Sequence, residues 1–220
     1  MDDWLLLQLA DSAFPTGGFA HSSGLEANAQ LGRVRDAAAL RAFLEQALWQ
    51  AGYVALPFVR AAHDAPGELV AIDALAHACL TNHVANAASR TQGRALVATC
   101  ARVFAEPRIE GLYVDVRARR THGHYAPLFG ATLTALGATR ERASMLMLFL
   151  TARGALSAAV RLGLLGPHEA HRMQHDLAPL LAKVLVECGG LGLDDVAQPA
   201  PMIDMLAAMH DTLYSRLFQS

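Results

Sequence analysis

Strand formers, lysine and charge are the three things this chain is short of. Valine and isoleucine number 13 and 3 against 43 alanines and 34 leucines, a balance that disfavours sheet and favours helix. The fold class read from it is all-α. A single lysine, Lys183, accompanies 17 arginines and the formal net charge is −2, so no overall basic field marks a nucleic-acid partner. Charged residues are only 17% of the chain, below the usual quarter. With 53% hydrophobic content over 220 residues, a sizeable core is expected, together with apolar surface left over for partners or self-association. The three cysteines, Cys79, Cys100 and Cys188, are odd in number and far apart. That excludes a disulfide framework and a thiol-rich zinc site, and fits a reducing compartment. The acidic opening Met1-Asp2-Asp3 and the short apolar stretch after it do not suit a signal peptide. The most apolar later stretch, Ala143 to Gly166, is interrupted by Arg153 and Arg161 and reads as a buried helix, not a membrane span. A cytoplasmic location is expected.

No low-complexity linker or fixed-period repeat divides the chain, so residues 1–220 read as one helical domain of about eight to ten helices. Asp2 or Asp3 caps a first helix over Trp4 to Asp11, which Pro15 forbids from continuing, and Thr16-Gly17-Gly18 supplies a turn. A second helix is predicted over Ser22 to Leu31, with Ser23 and Glu26 at capping-box spacing, while Ser22 or an earlier residue fits the start equally well. Asp36 begins a third, kinked or restarted near Pro57 on its way to His63. Helices over Glu68 to Asn82 and Ala85 to Phe104 follow, and Gly93 inside the second marks close approach of a neighbouring backbone. From Pro107 to Tyr125 no apolar helical stripe is apparent. The stretch reads as a loop whose Arg117, Arg119, Arg120, His122 and His124 are better explained by solvation than by phosphate binding. Helices resume over Ala126 to Leu136, Arg140 to Leu164, Pro167 to Glu187 and Pro201 to Phe218, with Pro167 and Pro201 in first-turn positions.

Catalytic signatures are missing. Lys183 is followed by Val184 and preceded by no glycine-rich turn, which excludes a P-loop. Gly17-Gly18 and Gly189-Gly190-Leu191-Gly192 lack the strand that a dinucleotide fingerprint requires, and no nucleophile-elbow spacing occurs. His168, His171 and His175 share one helical face and make a weak candidate set for a metal. Only Ala170 separates Glu169 from His171, one residue short of the zincin spacing, and an exposed histidine stripe is the commoner arrangement.

Four fragments carry a family resemblance. Leu6 to Glu26, LLQLADSAFPTGGFAHSSGLE, resembles the N-terminal signature of the urease accessory protein UreF family. Ser89-Arg90-Thr91-Gln92-Gly93-Arg94 resembles its Arg-x-Gln-Gly element, Gly123-His124-Tyr125-Ala126-Pro127 its entry to a central helix, and Leu213 to Ser220, LYSRLFQS, its C-terminal tail. The resemblance implies a non-catalytic, all-α homodimer that joins UreD (also called UreH) and the GTPase UreG in activating apo-urease. Nickel is handled by that assembly and no cofactor belongs to this chain. The matching residues nominated for partner binding are Phe14, Pro15, Gly17, Gly18, Phe19 and His21 in the signature, and Tyr214, Arg216, Leu217 and Phe218 in the tail at 213–220. For Phe19 the alternative is packing in the core, and for the tail, packing on its own domain. Gln92 and Arg94 are expected to make buried polar bonds between helices. Alternative readings of the whole are a GTPase-activating regulator of UreG with Arg216 as its finger, or a nickel-binding chaperone using the His168 face.

Overall fold

The computed structural model describes residues 2–220, and among these no strand forms. Asp2 caps α1 (Asp3–Ala10), its carboxylate accepting from the Leu5 N–H at 2.8 Å. The signature then turns through a 3₁₀ segment, Gly18–Ala20, before α2 (Leu25–Gln30). The expected Ser23–Glu26 capping box does not form: Gly24, at φ +85°, precedes the helix, and the Glu26 carboxylate is engaged elsewhere. Asp36 caps α3 (Ala37–Gln50), as its position predicts. The kink expected near Pro57 is a π-helical segment, Ala51–Ala55, leading into α4 (Leu56–Asp64). Pro57 has no N–H for the Tyr53 carbonyl, and that carbonyl accepts from Ala197 N–H instead.

α5 (Leu69–Cys79) and α6 (His83–Phe104) fall where the sequence puts them. Pro107 to Arg117 does not: this stretch is a helix, α7 (Pro107–Arg117), with Glu106 as its cap and proline in the first turn. The stripe overlooked in the sequence is Ile109, Leu112, Tyr113 and Val116, at helical spacing and turned onto the core. α8 (Tyr125–Ala135) and α9 (Arg140–Arg161) follow. The single helix expected over Pro167 to Glu187 is two, α10 (Pro167–Asp176) and α11 (Ala178–Glu187), because Pro179 cannot donate to the carbonyl of His175. α12 (Pro201–Ala208) also stops short of the predicted Phe218, giving way to a 3₁₀ turn at His210–Thr212 and an extended tail.

The helices make one compact unit around two buried clusters. α8 is central to the first, with Leu128 and Leu133 fully buried and α4 and α6 packed on it. The α4–α8 approach depends on Gly130, where a Cβ would sit 2.1 Å from the Val59 carbonyl oxygen. α9 joins the clusters, burying Leu146 and Leu148 in one and Ala152, Leu156 and Ala159 in the other. Among the described residues it is the one helix long and apolar enough to cross a membrane, yet 56% of its apolar window is buried inside the protein, as in a core helix.

Candidate functional site

The four segments singled out in the sequence meet in space. The tail lies along the signature: Ser22 N–H and Ser22 Oγ both donate to the Ser220 carbonyl, at 2.6 and 2.9 Å, and Gln219 N–H donates to the Ala20 carbonyl at 2.8 Å. Glu26, buried in α2, accepts from Leu217 N–H at 2.6 Å and Phe218 N–H at 3.1 Å, and its Oε2 also meets His210 Nε2 at 3.0 Å. A carboxylate with this many partners is a strong clasp, since charge-assisted bonds are stronger than neutral ones and the carboxylate itself is buried. It also explains why α12 ends early: the tail N–H groups go to Glu26, not to helix carbonyls.

Arg161 at the end of α9 completes the junction. Its guanidinium lies 3.8 Å from the Phe19 ring centroid and 4.2 Å from that of Phe218, and it donates to the Phe19 carbonyl. Phe218 is only 5% exposed, whereas Phe19 remains 68% exposed on its outer side. The tail therefore packs on its own domain, and Phe19 is not a core residue. Tyr214, Arg216 and Leu217 are exposed, and Met202 and Met205 of α12 with its C-cap Met209 are exposed at helical spacing.

Elsewhere in the signature, Phe14 stacks on Phe104 with centroids 6.0 Å apart, Thr99 Oγ1 donates to the Pro15 carbonyl at 2.7 Å, and Gly17 takes φ +77°. Phe14, Pro15, Gly17, Gly18 and Phe19 line a cleft of about 640 Å³ that Arg161 and Phe218 close on the far side. His21 is buried, with Nδ1 2.6 Å from Ser220 Oγ and no partner at Nε2. Burial, aided by His210, holds its pKa below the ordinary histidine value, which keeps the ring neutral near pH 7.

Behind the tail lies an apolar cavity of about 270 Å³, lined by members of all four segments, among them His21, Ser89, Gln92, His124, Tyr125 and Ser220. Gly93 makes this convergence possible. A Cβ there would sit 2.3 Å from the Gly123 carbonyl oxygen, the close backbone approach its place in α6 predicts. Ser89 Oγ accepts from Tyr125 N–H at 3.1 Å and meets His124 Nδ1 at 3.2 Å. The buried Asp73 carboxylate gathers the N–H groups of His122, Gly123 and His124 at 2.5, 3.0 and 2.8 Å. Burial drives the His124 pKa down to about 4 against the opposing pull of Asp73. Gln92 and Arg94 do not bridge helices as expected: Gln92 faces the cavity and Arg94 is exposed, donating to the His122 carbonyl at 3.2 Å.

His168, His171 and His175 lie exposed on α10, apart from this site. No group of three His, Cys, Asp or Glu side chains among the described residues is placed to hold a metal ion. The participants that sequence reasoning missed are Arg161, Glu26, His210 and Asp73. For Arg161, Glu26 and Asp73 the available signal was a charged residue inside an otherwise apolar helix stretch; nothing local identifies their partners.

A family model for UreF matches residues 34–178. Urease accessory protein F of Oryza sativa subsp. indica is 38% identical over 222 residues, spanning 98% of this chain and 84% of that protein. The protein of the same name from Arabidopsis thaliana is 37% identical over 221 residues, 99% of this chain and 92% of its own length. Urease accessory protein UreF of Mycolicibacterium vanbaalenii is 34% identical over 220 residues, 98% and 97% respectively. The family model leaves out the signature and the tail, whereas these relatives align over nearly the whole chain.

Proposed function

This chain belongs to the urease accessory protein F family, and from that premise we propose that it is a non-catalytic scaffold joining UreD (UreH) to the GTPase UreG. Its role lies in urease maturation. In this reading it works in the cytoplasm as a homodimer, and nickel is the cargo of the assembly, delivered to apo-urease, with no cofactor of its own. One observation carries the proposal. The signature and the tail are clasped by Glu26 and Arg161 into a single ordered surface, from which Phe19, Tyr214 and Leu217 project into solvent. Exposed aromatic and aliphatic anchors on a pre-ordered backbone lose little entropy on docking and are favoured at interface centres.

The test is co-expression with UreD and UreG, followed by affinity capture. Tyr214→Ala and Leu217→Ala touch no internal partner through their side chains in a way that the clasp needs, since the Leu217 backbone N–H is retained. The double variant is expected to lose capture of UreD, UreG or both while its thermal unfolding stays within about 0.5 kcal/mol of the parent. Undiminished capture of both would overturn the assignment of this surface.

A further inference from the structure

A second pocket, on the other side of the loop that carries His124, has the make-up of an anion site. It holds about 400 Å³ between α5, α6 and the α7–α8 loop, and is lined by Arg90, Arg94, Arg119, Arg120, Thr121 and His122 over a floor of Val70 and Ala74. Arg90 and Arg94 are four residues apart on α6 and share a face. The loop brings Arg119, Arg120 and Thr121 to meet them, held in place by Asp73 and by the contact at Gly93. No carboxylate lines the pocket. Asp73 is occupied by backbone N–H groups, and Asp115 pairs with Arg120 at 2.6 Å from outside.

Two donors are left without partners. Arg90 Nε is buried and makes no hydrogen bond, and the same holds for Oγ1 of Thr121, a residue only 7% exposed. Buried polar atoms are almost always satisfied, and here two unsatisfied ones belong to residues that line the pocket. The arginines also act on their surroundings: after burial and the neighbouring His122, the Arg90 charge is a further cause holding the His77 pKa down. Guanidinium groups in a convergent set suit a tetrahedral oxyanion, because each offers paired N–H donors at the spacing of phosphate oxygens. Four arginines, two from α6 and two from the α7–α8 loop, line this one pocket.

We propose that this pocket binds a phosphate-class anion, either free orthophosphate or a phosphate monoester, through the guanidinium groups of Arg90, Arg94 and Arg119. The sequence alone favoured a solvated loop here, and only the fold brings Arg90 and Arg94 to it.

The experiment is calorimetric titration of the full chain with sodium phosphate at constant ionic strength, sodium chloride serving as balance, and a parallel titration with phenyl phosphate. Saturable binding is expected, weakened about tenfold in Arg90→Gln and in Arg119→Gln, and unchanged in Arg172→Gln on α10. Arg119 is exposed, so its variant keeps the test valid even where Arg90→Gln fails to fold. Phenyl phosphate binding at least as tightly as orthophosphate identifies a monoester site, and its rejection identifies a free-ion site. No saturable heat with either probe, or equal affinity in parent, Arg90→Gln and Arg119→Gln, overturns the proposal.

Discussion

The clasp between signature and tail and the arginine pocket are built from similar materials and are opposite in state. At the clasp, the Glu26 carboxylate, the Arg161 guanidinium and the Ser220 carbonyl each have several internal partners. At the pocket, Arg90 Nε and Thr121 Oγ1 have none. The difference separates two uses of polar groups. The charged groups of the clasp are matched internally and support the fold, with His21 Nε2 left unpaired beside them, whereas the arginines of the pocket line an open cavity and are available to a ligand.

The comparison predicts that changes at the clasp act on stability and changes at the pocket rim do not. The largest effect should follow deletion of Tyr214 to Ser220. It removes two backbone donors from a buried carboxylate, so a loss of about 3–5 kcal/mol is expected in urea unfolding. A loss below about 1 kcal/mol would place the clasp among incidental contacts. Gly93→Ala comes next. Its Cβ would meet the Gly123 carbonyl oxygen at 2.3 Å, and displacement of the loop should cost about 3 kcal/mol, measured by thermal unfolding, while also loosening the pocket.

Acid sharpens the contrast further. His124 has a folded-state pKa of about 4 against about 6.5 unfolded. Between those values the unfolded chain binds the additional proton, so this contribution is intact above pH 6.5 and fades as pH falls toward 4. The expected slope is about 1 kcal/mol per pH unit, and it should be absent from the difference between His124→Gln and parent measured above pH 7. His21 and His77 shift in the same direction, each chiefly through burial. A parent stability that is flat from pH 7 to pH 5 would contradict this picture. Arg161→Ala removes the cation between Phe19 and Phe218, for an expected loss of about 1–2 kcal/mol. The smallest effect belongs to Arg119→Gln: no more than about 0.5 kcal/mol in unfolding, since this exposed side chain serves no internal bond and φ +56° is unchanged by the substitution.

Much of the fold was legible because helix signals are local. Asp36, Pro167 and Pro201 start helices as capping and first-turn chemistry require, and Gly93 shows its purpose even without the neighbour that needs it. Failures came where a local signal was weak or outcompeted. Ile109, Leu112, Tyr113 and Val116 make a narrow stripe among many arginines, and α7 was read as loop. Pro179 is masked as a break because Ala170, Met173, Leu177, Leu180, Leu181 and Val184 keep helical spacing across it. The candidate site was legible as four fragments and not as one place. His21 and Ser220 are 199 positions apart, and no local pattern pairs them.

What the sequence determined by itself is the helical class, most helix boundaries and the identity of the family, all of which rest on propensity, capping and motif order within a few residues. The tertiary structure alone decided that Glu26 faces the tail, that Arg161 lies between two phenylalanines, and that α6 and the α7–α8 loop bring four arginines to one pocket. Those arrangements depend on closing long loops and packing α8 against α4 and α6. Their stabilising contacts exist only after the chain has folded, so no window of sequence carries them.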